Sequence, residues 1–143
     1  MYLTSIYNSN LLINLNNIKK KLDEGQNIDD YLKYMLKKTI GNKCNKDGLI
    51  IKSSIEIINR NVGSFNLNSD LLYKIQYKAN ILAPNEGCVL ENCHIINDNE
   101  VFYIAQKKNL HTIILIPKNL ITEKLKHNTL QTIVCLDKFY EIN

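Results

Sequence analysis

Leu71-Leu72-Tyr73-Lys74-Ile75-Gln76-Tyr77-Lys78-Ala79-Asn80-Ile81-Leu82-Ala83-Pro84-Asn85-Glu86-Gly87-Cys88-Val89 decides how this chain is organised. Leu71 to Leu82, with its aromatic and β-branched residues, reads as a strand. Pro84 to Gly87 then makes the sharpest break in the strand-rich region. Proline removes a backbone donor and fixes φ, whereas glycine permits a turn. A domain boundary is expected at this break, with residues 1–82 forming a first domain and residues 83–143 a second.

Towards the amino terminus, Asn59 to Asp70 is rich in Asn, Ser and Gly, with Phe65 and Leu67 inside it. That composition suits a long loop or a hairpin tip rather than a core strand. Leu49 to Ile58 reads as a strand. Ile28 to Ile40 is the clearest helix: Ile28, Leu32, Met35, Leu36 and Thr39 or Ile40 recur at helical spacing, with Lys33, Lys37 and Lys38 towards water. Asn27 is placed to cap it, Asp29 and Asp30 lie at its positive end, lysines fill the last turn, and Gly41 is expected to take the left-handed exit conformation. Met1 to Leu15 is strand-like, followed by a turn or short helix. Towards the carboxyl terminus, Cys88 to Ile96, Glu100 to Gln106, His111 to Ile116 and Thr129 to Tyr140 read as short strands. One clear helix with many strands is an α+β pattern, and the second part suits a small barrel of the oligonucleotide-binding kind.

The 143 residues, 45% of them hydrophobic, are enough to build a core for one domain or two very small ones. No run of 18 apolar residues occurs, and Met1-Tyr2-Leu3-Thr4-Ser5 has neither a basic nor an apolar leader region, so no membrane contact and no secretory route are expected. Cys44, Cys88, Cys93 and Cys135 are scattered rather than framed, and read as small hydrophobes kept reduced in a cytosolic chain. The formal charge is +4. Of the 18 Lys and Arg residues one is arginine, Arg60, leaving 17 lysines. Lysine attracts phosphate without reading bases, so any role with nucleic acid would be electrostatic and salt-dependent. The heavy use of Asn, Ile and Lys points to an AT-rich coding source.

No catalytic motif stands out. Cys88, Cys93 and His94 form a Cys-x4-Cys-His cluster, yet Cys93 and His94 are neighbours on an expected strand and point to opposite faces, which disfavours a metal site. His94, His111 and His127 lack a fixed carboxylate or serine partner for a triad. Neither a phosphate-binding glycine loop nor paired catalytic carboxylates is present. The expectation is a non-enzymatic chain without metal or other cofactor.

The order of elements carries a resemblance. A strand and a helix are followed by Gly41-Asn42-Lys43-Cys44, Asp47-Gly48-Leu49-Ile50-Ile51, a loop with Gly63, Ile75-Gln76-Tyr77-Lys78-Ala79, and Pro84-Asn85-Glu86-Gly87-Cys88-Val89. This series resembles the stalk, or seventh-subunit, family of archaeal and eukaryotic DNA-directed RNA polymerases. It continues more loosely through Thr112-Ile113-Ile114-Leu115-Ile116-Pro117-Lys118 and so covers most of the chain. Two features depart from the family pattern: Arg60-Asn61-Val62-Gly63-Ser64-Phe65 replaces an Arg-Ile-Leu-Pro-like stretch, and the glycines that bend the second strand of an S1 barrel are missing between Val101 and Leu115.

The resemblance implies a non-catalytic stalk subunit with a small tip domain, a helix on an antiparallel sheet, and an abbreviated OB/S1-like β-barrel. The tip would dock at the clamp through Arg60, Val62, Gly63, Phe65 and Leu67, with Phe65 and Leu67 as buried anchors and Arg60 as a paired charge. The implied partners are the largest and clamp-proximal polymerase subunits, a fourth-subunit-like companion, and nascent RNA. On the barrel, Phe102, Tyr103, Lys107, Lys108, His111 and Lys118, with Lys124 and Lys126, form the candidate RNA face. Aromatic rings would stack bases while lysines follow phosphates, although strand alternation turns one of Phe102 and Tyr103 inward. The alternative is a free-standing RNA-binding module of the S1 type. Small size and AT-rich coding together suggest a reduced subunit of a large DNA virus, found in host cytoplasm and virion; otherwise the nucleus is expected.

Overall fold

The computed structural model describes residues 2–107 and 112–140. It is a mixed α+β protein, with two α-helices among the described residues and strands paired antiparallel in two sheets, one of them curled into a half-barrel. The chain divides into two compact units, unit 1 up to Ala83 together with Tyr140, and unit 2 from Pro84 to Phe139.

Unit 1 begins with strand β1, Tyr2–Asn14, which pairs in unbroken register with β6, Asp70–Leu82, from Tyr2 opposite Leu82 to Asn14 opposite Asp70. Alternation puts Leu11 and Ile13 on the same face as Tyr73, Ile75, Tyr77, Ala79 and Ile81, all buried. Two helices cover that face. Helix α1, Leu15–Asp23, is capped by the Asn14 side chain, which accepts from Asn16 N–H, and it buries Ile18. Helix α2, Ile28–Ile40, is capped by Asn27 accepting from Asp29 N–H at 2.8 Å, with Asp29 and Asp30 in its first turn and Lys37 and Lys38 in its last. Those charges complement the helix dipole. Leu32 and Leu36 are fully buried, and Tyr31, outside the expected apolar stripe, is buried beside them. Each such side chain contributes roughly 1.5–3 kcal/mol of apolar burial.

Two local expectations are corrected. Gly41 is extended, with φ −63°, and Asn42 takes the left-handed position with φ 57°. Glycine is required at Gly41 for room, since a Cβ there would collide with Lys37 O and the Lys52 side chain. Leu49 to Ile58 is not one strand either. Cys44–Asn45 (β2) and Gly48–Ile50 (β3) form a short hairpin, a 3-10 turn at Lys52–Ser54 follows, and pairing resumes at Glu56–Arg60 (β4). The turn is held by Ser54, whose Oγ donates to Ile51 O at 2.7 Å and accepts from Asn80 N at 2.8 Å. Ile55 is buried directly after it. Strand β5, Ser64–Phe65, completes the sheet; β1, β3, β4 and β5 all pair with β6.

Unit 2 is a four-stranded sheet in the order β10-β7-β8-β9, formed by Val89–Asp98 (β7), Phe102–Lys107 (β8), Ile113–Pro117 (β9) and Leu130–Val134 (β10). The last strand is shorter than the expected Thr129–Tyr140. Cys93, Ile95, Tyr103 and Ala105 form a small core, and Leu90, Ile114, Ile116 and Ile133 pack against it. Both β7 pairings shift register, at Ile95/Asn97 towards β8 and at Gln131/Ile133 towards β10. Such irregularities bend a strand and raise its twist, the role usually left to glycines in a small barrel.

Candidate functional site: the hairpin tip and the outer face of unit 2

Asn59 to Asp70 is a hydrogen-bonded hairpin tip. On its first side Asn61 fixes the backbone with three hydrogen bonds: its N–H donates to Lys74 O at 3.2 Å, and its Oδ1 accepts from Lys74 N at 3.1 Å and Gly63 N at 3.3 Å. Gly63 has φ +90°, and a Cβ there would lie 3.0 Å from the Tyr73 ring. Both conditions favour glycine. Ser64 and Phe65 then pair with Leu72 and Leu71. Asn66 closes the end: its N–H donates to Asp70 O at 3.0 Å, its Oδ1 accepts from Asn68 N and Asp70 N, and its carbonyl accepts from Ser69 N at 3.3 Å. Asparagine suits this work because its short amide mimics a backbone turn.

The consequence is a backbone tied to its own strands while its apolar side chains face outward. Val62 is 91% exposed, Phe65 68% and Leu67 104%. Isolated exposed apolar residues are ordinary, but three within six residues concentrate apolar surface on one hydrogen-bonded tip.

Arg60, also on the tip, is paired within its own unit. Its guanidinium is engaged within unit 1: Nε donates to Asp29 Oδ1 at the start of α2, Nη1 donates to Asn61 O at 3.0 Å, and the group lies 5.9 Å from the Tyr73 ring centroid. The hydrogen bond from Arg60 holds the Asp29 carboxyl below its ordinary range, and Asp29 in turn raises the Arg60 guanidinium. Arg60 therefore braces the tip against α2. The pairing links residues 31 apart in sequence, so no local pattern announces it.

In unit 2 the described candidate RNA residues do not form one face. Tyr103 is 7% exposed, in the core, and its hydroxyl accepts from Leu125 N at 3.3 Å, so its ring cannot stack a base. Phe102, its neighbour, is half-buried on the opposite face. Lys118 Nζ donates to Asp98 Oδ2 at 2.7 Å and sits 4.9 Å over the Tyr103 ring, so its charge is already balanced. Asp98 also contacts His127 Nε2 through Oδ1 at 2.8 Å. Lys118 first and His127 second hold the Asp98 carboxyl below its ordinary value. Lys107 is half-buried opposite Cys93, Lys124 and Lys126 are exposed, and Lys108 and His111 lie outside the described residues.

The outward side of β8 and β9 carries Phe102, Ile104 and Gln106 opposite Pro117, Leu115 and Ile113, with Ile113 74% and Leu115 54% exposed. These six residues include no charge, which is poorly matched to a phosphate backbone. Cys93 is buried in the core and His94, next along β7, is only half-buried on the other face. Among the described residues no three His, Cys, Asp or Glu side chains are grouped as a metal site would require, and no helix is long and apolar enough to cross a membrane. Compared with known proteins, the chain matches no family model and no curated protein.

Proposed function

We propose that this protein is a non-catalytic stalk subunit of a multisubunit DNA-directed RNA polymerase, anchored by the tip of unit 1. One observation carries the reading: Val62, Phe65 and Leu67 stand exposed on a tip whose backbone is hydrogen-bonded to β6, so apolar anchors are held ready without a large ordering cost on binding. The resemblance of the collinear series from Gly41 to Val89 to the stalk family supports a groove at the clamp of the enzyme as the docking place. Unit 2, as the abbreviated S1-like barrel of such a subunit, would lie beside nascent RNA. Its contact would rest on the exposed Lys124 and Lys126 and on Phe102 rather than on Tyr103 or Lys118.

The test is copurification. Tagged chain is expected to bring down the large polymerase subunits in salt that strips RNA, and Phe65→Asp with Leu67→Asp is expected to abolish that recovery while the chain stays folded. Recovery of RNA alone, or equal recovery of polymerase by wild type and the double variant, removes the proposal.

A further inference from the structure

Two cysteines that the docking reading does not use stand opposite each other where unit 2 begins and its last strand ends. Asn85 to Cys88 is a tight turn closed by Cys88 N–H to Asn85 O at 3.0 Å, with Gly87 at φ +85° in its third position. Gly87 N–H then donates to Cys135 O at 2.7 Å, and Cys135 N–H donates to Cys88 O at 2.9 Å. A left-handed glycine followed by a residue that shares one cross-strand partner with it is a glycine β-bulge, and the second residue of such a bulge faces that partner. Cys88 thus lies across from Cys135, continuing the register of Val89 with Val134. Directly opposed antiparallel residues have Cα atoms about 4.5–5.5 Å apart, within the span a disulfide bridges.

The side chains share a face as well. Burial alternates along both strands so that Cys88 and Leu90 lie on one side, as do Cys135 and Ile133, and this is the side of the small core. Both cysteines are half-exposed at its rim, within reach of a small solute. Burial, and then the neighbouring Cys88, push the Cys135 thiol up, which agrees with two sulfurs close enough to act on each other. Cys93 is fully buried in the core and is shut off from the same chemistry.

The geometry points to Cys88 and Cys135 as an oxidant-closed thiol pair, a modification site at which a small peroxide staples the first strand of unit 2 to its last. One thiolate attacks hydrogen peroxide, the O–O bond breaks, and a sulfenic acid forms with release of hydroxide. The second sulfur displaces the sulfenic hydroxyl, which leaves as water after taking up a proton. Two thiols and one peroxide thereby give one disulfide and two waters, with two electrons passing from sulfur to peroxide. The bond closes the whole chain between β7 and the end of β10 into a loop and fixes an outer strand whose pairing is otherwise interrupted at Gln131/Ile133.

The experiment treats the full chain with stoichiometric hydrogen peroxide and follows intact mass, peptide mapping without reductant, and thermal unfolding. The expected result is loss of two hydrogens, a linked peptide containing Cys88 and Cys135, and a rise of roughly 10 °C in the unfolding midpoint that dithiothreitol reverses. Cys88→Ser and Cys135→Ser should each remove the link and the shift, while Cys44→Ser leaves both. Oxygen addition without the linked peptide, a link through Cys44, or a link without any change in midpoint overturns the assignment. None of these readouts depends on polymerase binding, so failure here leaves the docking proposal standing, and the reverse holds too.

Discussion

Lys118 Nζ lies 2.7 Å from Asp98 Oδ2, which neutralises the cation that follows β9. Removing the carboxylate should therefore release a charge. Asp98→Asn is expected to tighten binding to single-stranded RNA by a small factor and to steepen the slope of log affinity against log salt by about 0.7, the value of one additional phosphate contact. Fluorescence anisotropy at several salt concentrations measures both. An unchanged slope would mean that Lys118 faces no phosphate even when freed.

The same carboxylate should add an acid-dependent contribution to the stability of unit 2. Its folded pKa lies below the ordinary 3.8, so the unfolded chain binds the proton more readily. The stability it contributes is fully present above the ordinary value and is lost as pH falls through the depressed one. An acid titration followed by near-ultraviolet circular dichroism should show a shallower acid limb for Asp98→Asn than for wild type. Superimposable limbs would sink this account.

Gly63 combines φ +90° with close approach to the Tyr73 ring. Gly63→Ala should destabilise unit 1 by about 1–2 kcal/mol through backbone strain and ring displacement. Urea unfolding reports it. A neutral effect would mean that the tip relaxes without disturbing Tyr73.

Leu36 is fully buried between α2 and the sheet. Leu36→Ala should cost about 2–5 kcal/mol, the range for a truncated core leucine, and so approach the whole stability of a small unit. By contrast Leu67→Ala, at a fully exposed position, should stay within about 0.5 kcal/mol in the same measurement.

Local signals were legible and distant ones were not. Helix α2 could be read because its apolar spacing, its Asn27 cap and its end charges all lie within fifteen residues of one another. Strands β1 and β6 could be read from composition, and the mixed α+β class followed. The break at Lys52–Ser54 was hidden, because Leu49 to Ile58 reads as one extended run, and what stops it is a bond between Ser54 and Asn80 across 26 residues. Arg60 reads as a charge paired on docking, with Asp29 unseen as its neighbour, and Lys118 reads as a phosphate contact until Asp98 and His127 are brought beside it. For Phe102 and Tyr103 alternation showed that one must turn inward, but choosing Tyr103 required the pairing of β8 with Ile114 and Ile116 beneath it.

Strand β6 is the spine to which β1, β3, β4 and β5 all attach. During synthesis β1, thirteen residues that include no charge, must therefore wait for its partner until position 82 has been made. At the usual pace of synthesis that wait lasts roughly 4–16 seconds, far longer than a local helix needs to form. Within unit 1, β1 is thus made long before its partner, and that interval, more than the finished state, is when this strand is exposed to tangling with its neighbours.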